Sequence, residues 1–180
     1  MAKLAEAAPQ EARGGRPIVS SAHLAEGASP ALSEFEFGLI LASHAFIRWI
    51  VRGMAAAGHP DLAPIDVMVM HSVAHRERRK RLADICLVLN VEDTHLVAYA
   101  IKKLERLGLV TSEIVAKEKL VSVTERGEAA CRAYREIREQ LLVEPVKAMG
   151  FEEGRLSKLA ARLRALSGHY DQAARSAASL

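Results

Sequence analysis

Four side chains that could contact an anionic partner recur along residues 90–110. His95, Tyr99, Lys102 and Arg106 follow one another at steps of four, three and four positions, so a helix places them on one face. The opposite face carries apolar residues at the 3.6-residue spacing of a helix that packs against a core, namely Val97, Ala100, Ile101 and Leu104. Gly108 is expected to end this helix. The sequence therefore predicts a helix with one buried face and one exposed, partly cationic face.

The most basic segment, HRERRKR, lies upstream at residues 75–81 and contains Arg76, Arg78, Arg79, Lys80 and Arg81. Cationic side chains in such a segment gain affinity for DNA phosphates by releasing counterions. An ordinary solvated loop is the alternative for this segment. The exposed helix face has a similar alternative, in which its cations pair with Glu105 or Glu92.

Metal, redox and catalytic chemistry find little support. His71 and His75 are four residues apart, a spacing that suits zinc, but nothing nearby supplies convincing third and fourth ligands. Cys86 and Cys131 lie on separate predicted helices and are expected to be structural thiols. The sequence has no P-loop, no G-x-G-x-x-G and no G-x-S-x-G. We expect no enzyme activity, no cofactor and no metal site.

The composition fits one ordinary domain with extensions at its ends. The chain has 180 residues, of which 50% are hydrophobic and 26% charged, and its formal net charge is +3, which permits an anionic partner without requiring one. No continuous apolar run approaches the roughly 20 residues that span a bilayer, and we see no signal peptide, so we expect no membrane association. With two cysteines, a reduced, cytoplasmic protein is the simplest interpretation.

The elements before the basic segment predict a tail and a long helix. Residues 1–31, rich in Ala, Gly, Ser and Pro, are expected to form a mobile tail. A helix is expected over 33–61, with Ser33 and Glu36 as a capping box and Gly58 as its stop. Its apolar residues form two stripes, so it must be covered on two sides, one of them by another subunit.

The middle of the chain predicts a three-helix unit followed by a hairpin. Pro64 suits the first turn of a second helix, LADICLVLN forms a third, and Asp93 and Thr94 cap the fourth. LVTSEIV and KLVSV are β-prone and joined by AKE, and Thr124 caps the helix that follows. This order, over 62–127, is a winged helix-turn-helix. The predicted fold class is mainly α with a small β-hairpin wing.

The C-terminal part, 128–170, predicts helices that seek a helical partner. Pro145 and Gly150 are expected to interrupt the long helix. A last helix, from about 152 to 167, carries an apolar stripe at coiled-coil spacing. That stripe consists of Leu156, Leu159, Leu163 and Leu166.

Residues 82–128 resemble the MarR family of bacterial transcription regulators. The resemblance rests on Leu82–Ala83, Leu104–Glu105, Gly108–Leu109–Val110, and the run VTERG that ends at Gly127. It implies a homodimer held by the N- and C-terminal helices, which binds double-stranded DNA at two half-sites through a recognition helix (about 94–107) and a wing (about 109–123). The wing contains lysines and no arginine, so we expect phosphate contact rather than minor-groove readout. The DNA-binding residues predicted in this way are Arg78, Arg79, Lys80, Thr94, His95, Tyr99, Lys102, Lys103, Arg106, Lys117 and Lys119.

The resemblance also implies a small-molecule effector site. The residues placed there are His44, Arg48 and Trp49, although Trp49 could equally belong to the dimer core. The alternative function for the whole chain is a winged-helix protein-interaction module that does not bind DNA itself.

Overall fold

The computed structural model describes residues 17–180, which are mainly helical with a small antiparallel sheet. Its helices are α1 (Ala22–Ala25), α2 (Pro30–Ala56), α3 (Pro64–Ala74), α4 (Leu82–Leu89), α5 (Thr94–Arg106), α6 (Glu125–Arg138), α7 (Glu144–Ala148) and α8 (Glu153–Ala177). Its strands are β1 (Lys80–Arg81), β2 (Val110–Val115) and β3 (Glu118–Val123). The predicted fold class, a mainly helical winged helix-turn-helix, is confirmed.

The chain divides into two units, Met1–Ile50 and Val51–Leu180, and α2 runs across the boundary. In the first unit the helices begin earlier than predicted. Helix α2 starts at Pro30, a residue suited to a first turn, so Ser33 lies inside the helix and its hydroxyl donates to the Leu24 carbonyl at 2.6 Å. The predicted tail over 1–31 is therefore wrong for the residues in α1 and the start of α2. Residues 1–16 lie outside the described part.

Helix α2 exposes a large apolar surface. Leu39, Ile40, Leu41, Phe46 and Ile47 are all exposed in the single chain. By length and composition alone the helix could cross a membrane. A single such helix is weak evidence, since a helix covered by another helix has the same composition.

The core of the second unit lies between α3, α4, α5 and the sheet. Its fully buried side chains include Val67, Met70, Ile85 and Val121, and α3 contacts α4, α5, α6 and β3. All four apolar positions predicted for α5 are buried, with no more than 3% of their surface exposed. The 3.6-residue spacing thus identified the inward face of α5 correctly.

The sheet has the order β1–β3–β2, with both pairs antiparallel. The hairpin of β2 and β3 was predicted, and it turns at Ala116 and Lys117, whose φ angles are +49° and +71°. Strand β1 was not predicted: Lys80 and Arg81 pair with Val121 and Leu120. Because Lys80 and Arg81 pair with β3, the end of the basic segment is fixed against the wing and is not a free loop.

Hydrogen bonds around Thr124 explain two of the sequence motifs, Gly108–Leu109–Val110 and VTERG. The Thr124 hydroxyl donates to the Gly108 carbonyl at 2.7 Å and accepts from the Gly127 amide at 3.1 Å. The Thr124 amide donates to the Leu109 carbonyl at 3.1 Å, and a Cβ added to Gly127 would lie only 2.1 Å from that oxygen. The start of α6 is therefore clamped onto the end of α5, and only glycine fits at position 127.

The C-terminal helices differ from the prediction in two ways. A π-helical stretch, Glu139–Val143, joins α6 to α7, and Pro145 lies at the start of α7, where its missing N–H removes a helical hydrogen bond. The helix stops near Gly150, which has a φ of +78°, so that stop was predicted correctly. Helix α8 continues to Ala177, beyond the predicted end at Ser167. Leu156 and Leu159 are exposed, while Leu163 and Leu166 are half-buried.

Candidate nucleic-acid interface

The outer face of α5 is not covered by other described residues of the chain. Asp93 caps the helix by accepting a hydrogen bond from the His95 amide at 2.9 Å, and Thr94, His95, Lys102 and Arg106 are all exposed. Tyr99, one turn beyond His95, is 66% exposed. Tyr99, Lys102, Glu105 and Arg106 line one open concave surface. The face predicted from sequence is thus available to a partner.

Lys103 has a different partner from the predicted phosphate. Its ammonium lies 2.6 Å from the buried carboxylate of Asp66 and donates to the Asp61 carbonyl at 2.6 Å. Asp66 also accepts from the Ala63 amide at 2.8 Å at the start of α3. Lys103 therefore ties α5 to the start of α3, because a buried carboxylate requires a compensating charge.

Lys80 is also used inside the protein. Its ammonium donates to the carbonyls of Ser72, Val73 (3.1 Å) and His75 (2.5 Å), at the C-terminal end of α3. Carbonyls at the end of a helix lack some of their helical partners, although the Ser72 carbonyl also accepts from the His75 amide, and a cation at this end suits the helix dipole. Burial, followed by the charges of Arg78 and Arg76, lowers the pKa of Lys80. The prediction of a DNA contact is replaced by a capping role.

The remaining basic segment pairs with acids of the wing. Arg79 forms an ion pair with Glu113 of β2, and Arg81 lies 3.5 Å from Glu118 of β3. Arg81 also donates two hydrogen bonds to Asp84, and these lower the pKa of that carboxyl. Much of the positive charge in this segment is therefore neutralised within the protein. Sequence reasoning missed Glu113 and Glu118 as its counterions.

A salt bridge ties strand β3 of the wing to α5. Lys119 lies 3.0 Å from Glu105. Burial raises the pKa of Glu105, but the neighbouring Ser112 hydroxyl and the charges of Lys119 and Lys102 outweigh it, so the net pKa is lowered. At the tip, Lys117 and the apolar Ile114 are exposed, the latter by 78%. The wing thus presents one unpaired lysine in its turn and, two residues later in β3, a second lysine that is paired with Glu105.

Four of the predicted cations remain unengaged. Arg78, Lys102, Arg106 and Lys117 are exposed and form no ion pair or hydrogen bond with any residue in the described range. Arg76, which was not among the predicted DNA-binding residues, is also exposed and has a φ of +62°. These side chains are the ones available to phosphates.

His71 belongs to a partly buried cluster between α3 and α6. Its Nδ1 lies 3.6 Å from the Cys131 sulfur, its ring centroid lies 4.8 Å from that of Tyr134, and its buried Nε2 has no hydrogen-bond partner. Burial lowers the pKa of His71 and, with Glu128, raises that of Cys131 to about 11. Cys131 is thus a protonated thiol at neutral pH, as expected for a structural cysteine. His75, in contrast, is exposed, and no group of three metal-ligating side chains occurs in residues 17–180.

The residues predicted for an effector lie on α2. His44 and Arg48, one helical turn apart, are exposed, and Trp49 is half-buried. Their role stays a prediction.

Comparison with known proteins agrees with this geometry. A family model described as a winged helix DNA-binding domain matches residues 62–127. This part of the chain therefore has the winged helix fold that the family model describes. No curated protein matches the sequence. Solved structures, however, match over a larger share of the chain than the family model does.

A transcriptional regulator (MarR family) from Rhodococcus sp. RHA1 matches with a TM-score of 0.59 and 14% identity, over 76% of this chain and 94% of that one. MepR from S. aureus, in its DNA-binding conformation, matches with a TM-score of 0.61 and 16% identity, over 76% and 98%. CouR from Rhodococcus jostii RHA1, bound to p-coumaroyl-CoA, matches with a TM-score of 0.59 and 14% identity, over 73% of this chain and 90% of that one. At these identities the likeness shows the fold, so the resemblance to the MarR family is confirmed as a shared MarR-type fold.

Proposed function

We propose that the protein is a homodimeric transcription regulator that binds duplex DNA through α5 and the wing. The observation that carries the proposal is the exposed stripe of His95, Tyr99, Lys102 and Arg106 on the second helix of a helix-turn-helix. An exposed helix of this kind fits the major groove. MepR, which has the same fold, has been solved in a DNA-binding conformation.

Phosphate contacts are assigned to the unengaged cations alone. These cations are Arg78, Lys102, Arg106 and Lys117 in each of two protomers. If all of them contact phosphates, a plot of log affinity against log salt concentration has a slope no steeper than about −7. The eight lysines and arginines per protomer that the sequence predicted would allow a salt slope about twice as steep. Titration of mixed-sequence duplex DNA at several salt concentrations measures the slope. Absence of binding at low salt overturns the proposal.

Dimerisation is proposed through the two long terminal helices. Helix α2 exposes Leu41 and Phe46, and α8 exposes Leu156 and Leu159. Such exposed apolar surface is typical of an interface between subunits. We expect Leu41→Glu to produce a folded monomer in sedimentation analysis and to weaken DNA binding, because each monomer holds a single half-site. A variant that stays dimeric places the interface elsewhere.

An effector site near His44, Arg48 and Trp49 is proposed by analogy with CouR, which was solved with p-coumaroyl-CoA bound. Trp49 is the only tryptophan in the chain and therefore reports on this region by its fluorescence. Titration with p-coumarate and p-coumaroyl-CoA should change that fluorescence and weaken DNA binding, and Arg48→Gln should reduce both effects. If the fluorescence responds only to subunit dissociation, Trp49 belongs to the dimer core.

The alternative remains a winged-helix module that binds proteins. The exposed Leu87 and Val88 of α4, which are 81% and 72% accessible, and the arginine-free wing favour it. The low-salt titration separates the two functions, because phosphate binding is strongest there. As a DNA-binding regulator the protein acts in the cytoplasm, and we assign it no catalytic activity.

A further inference from the structure

Tyr99 occupies an unusual position on the outer face of α5. Its side chain is 66% exposed and makes no hydrogen bond or ring contact with any described residue. His95 lies one turn before it and Lys102 one turn after it on the same line of the helix. A large aromatic ring left uncovered at the centre of a cationic surface has no structural role in the single chain.

The other members of the stripe differ from Tyr99 in what they can bind. Lys102 and Arg106 lie towards the C-terminal end of α5 and carry full charges, which suit phosphates. In helix-turn-helix proteins the N-terminal part of the recognition helix meets the base edges, and Tyr99 lies in this half of α5. The apolar group that the major groove presents there is the C5-methyl group of thymine.

We propose that Tyr99 is a specificity-determining residue that packs its ring against a thymine methyl group in each half-site. This inference rests on the proposed function and adds the chemistry of the preferred site: a thymine at a fixed position in each half-site. Cationic residues supply affinity for any duplex, and the ring of Tyr99 supplies discrimination between thymine and bases that lack the methyl group.

The test uses the intact protein and duplexes long enough for two half-sites. A preferred duplex is first selected from a random pool, and each thymine in it is then replaced by deoxyuridine, which removes only the methyl group. Loss of one buried methyl group corresponds to about fourfold in affinity per half-site. We expect one symmetry-related pair of positions to show this loss.

Variants assign the effect to the ring. Tyr99→Phe should retain the preference for thymine over deoxyuridine, and Tyr99→Ala, which keeps a good helix former at an exposed site, should abolish it. Lys102→Met serves as the control: it should weaken binding to both duplexes equally and leave their ratio unchanged.

The outcomes separate the two proposals. If the protein binds duplex DNA but no deoxyuridine substitution weakens binding, the role of Tyr99 is refuted and the regulator stands. The same holds if Tyr99→Ala weakens binding to both duplexes alike, since the ring then acts on the backbone. If no duplex binds at low salt, the proposed function fails, and the role of Tyr99 fails with it.

Discussion

The adjacent lysines of α5, Lys102 and Lys103, offer a direct test of the division between surface and core. Lys103→Met removes an ammonium that lies 2.6 Å from the buried Asp66 carboxylate but keeps most of the apolar stem. Lys102→Met makes the same chemical change one residue earlier, on an exposed side chain without an ion-pair partner among the described residues. Sequence alone treats the two lysines alike, whereas the structure predicts opposite consequences.

The expected loss of stability follows from the environment of Asp66. Breaking a buried ion pair by removing one partner costs about 3 to 5 kcal/mol. The Lys103 side chain is 24% exposed and that of Asp66 only 2%, so water that enters beside the shorter substituted side chain reduces the cost. The Ala63 amide continues to donate to the carboxylate. We therefore expect a loss of about 2 to 3 kcal/mol, or about 4 to 12 °C in melting temperature.

Urea unfolding followed by circular dichroism, at one fixed protein concentration, measures the effect. Lys102→Met should change stability by less than about 0.5 kcal/mol but weaken DNA binding. Adding Asp66→Asn to Lys103→Met should restore part of the stability, because a neutral amide tolerates burial better than a charge. Equal stability of the two single variants, or a double variant no more stable than Lys103→Met, would refute the buried pair as a stabilising contact.

Three further predictions concern the clamp, the wing and the buried histidine. Gly127→Ala should destabilise the fold by about 1 to 3 kcal/mol in urea unfolding, because its Cβ would lie 2.1 Å from a carbonyl oxygen, whereas Gly168→Ala on open α8 surface should be neutral or stabilising. Glu113→Gln should free Arg79 from its ion pair, so duplex titrations should show tighter DNA binding and a salt slope steeper by about 1 per protomer; weaker binding would contradict this. Burial lowers the pKa of His71 from 6.5, so the unfolded chain takes up a proton first, and stability should fall below pH 6.5 by at most about 1.4 kcal/mol per pH unit. That decline should be shallower in a pH series on His71→Phe.

The amino-acid sequence by itself determined most elements of the winged helix unit. The inward face of α5, the caps at Asp93 and Thr124 and the hairpin were all predicted, because helix and strand periodicity and capping depend on neighbouring residues. The T-x-x-G motif was recognised as a pattern, but its reason appeared only when Gly127 was seen against the Leu109 carbonyl.

Only the tertiary structure decided which charges face outward. Lys103 is held by Asp66, which lies 37 positions away, and Arg79 by Glu113 in strand β2 of the wing. Ion pairs of this kind form between residues distant in the chain, and no local pattern distinguishes a lysine with such a partner from one without. For that reason the sequence located the candidate interface, and the fold selected the side chains that remain free to act there.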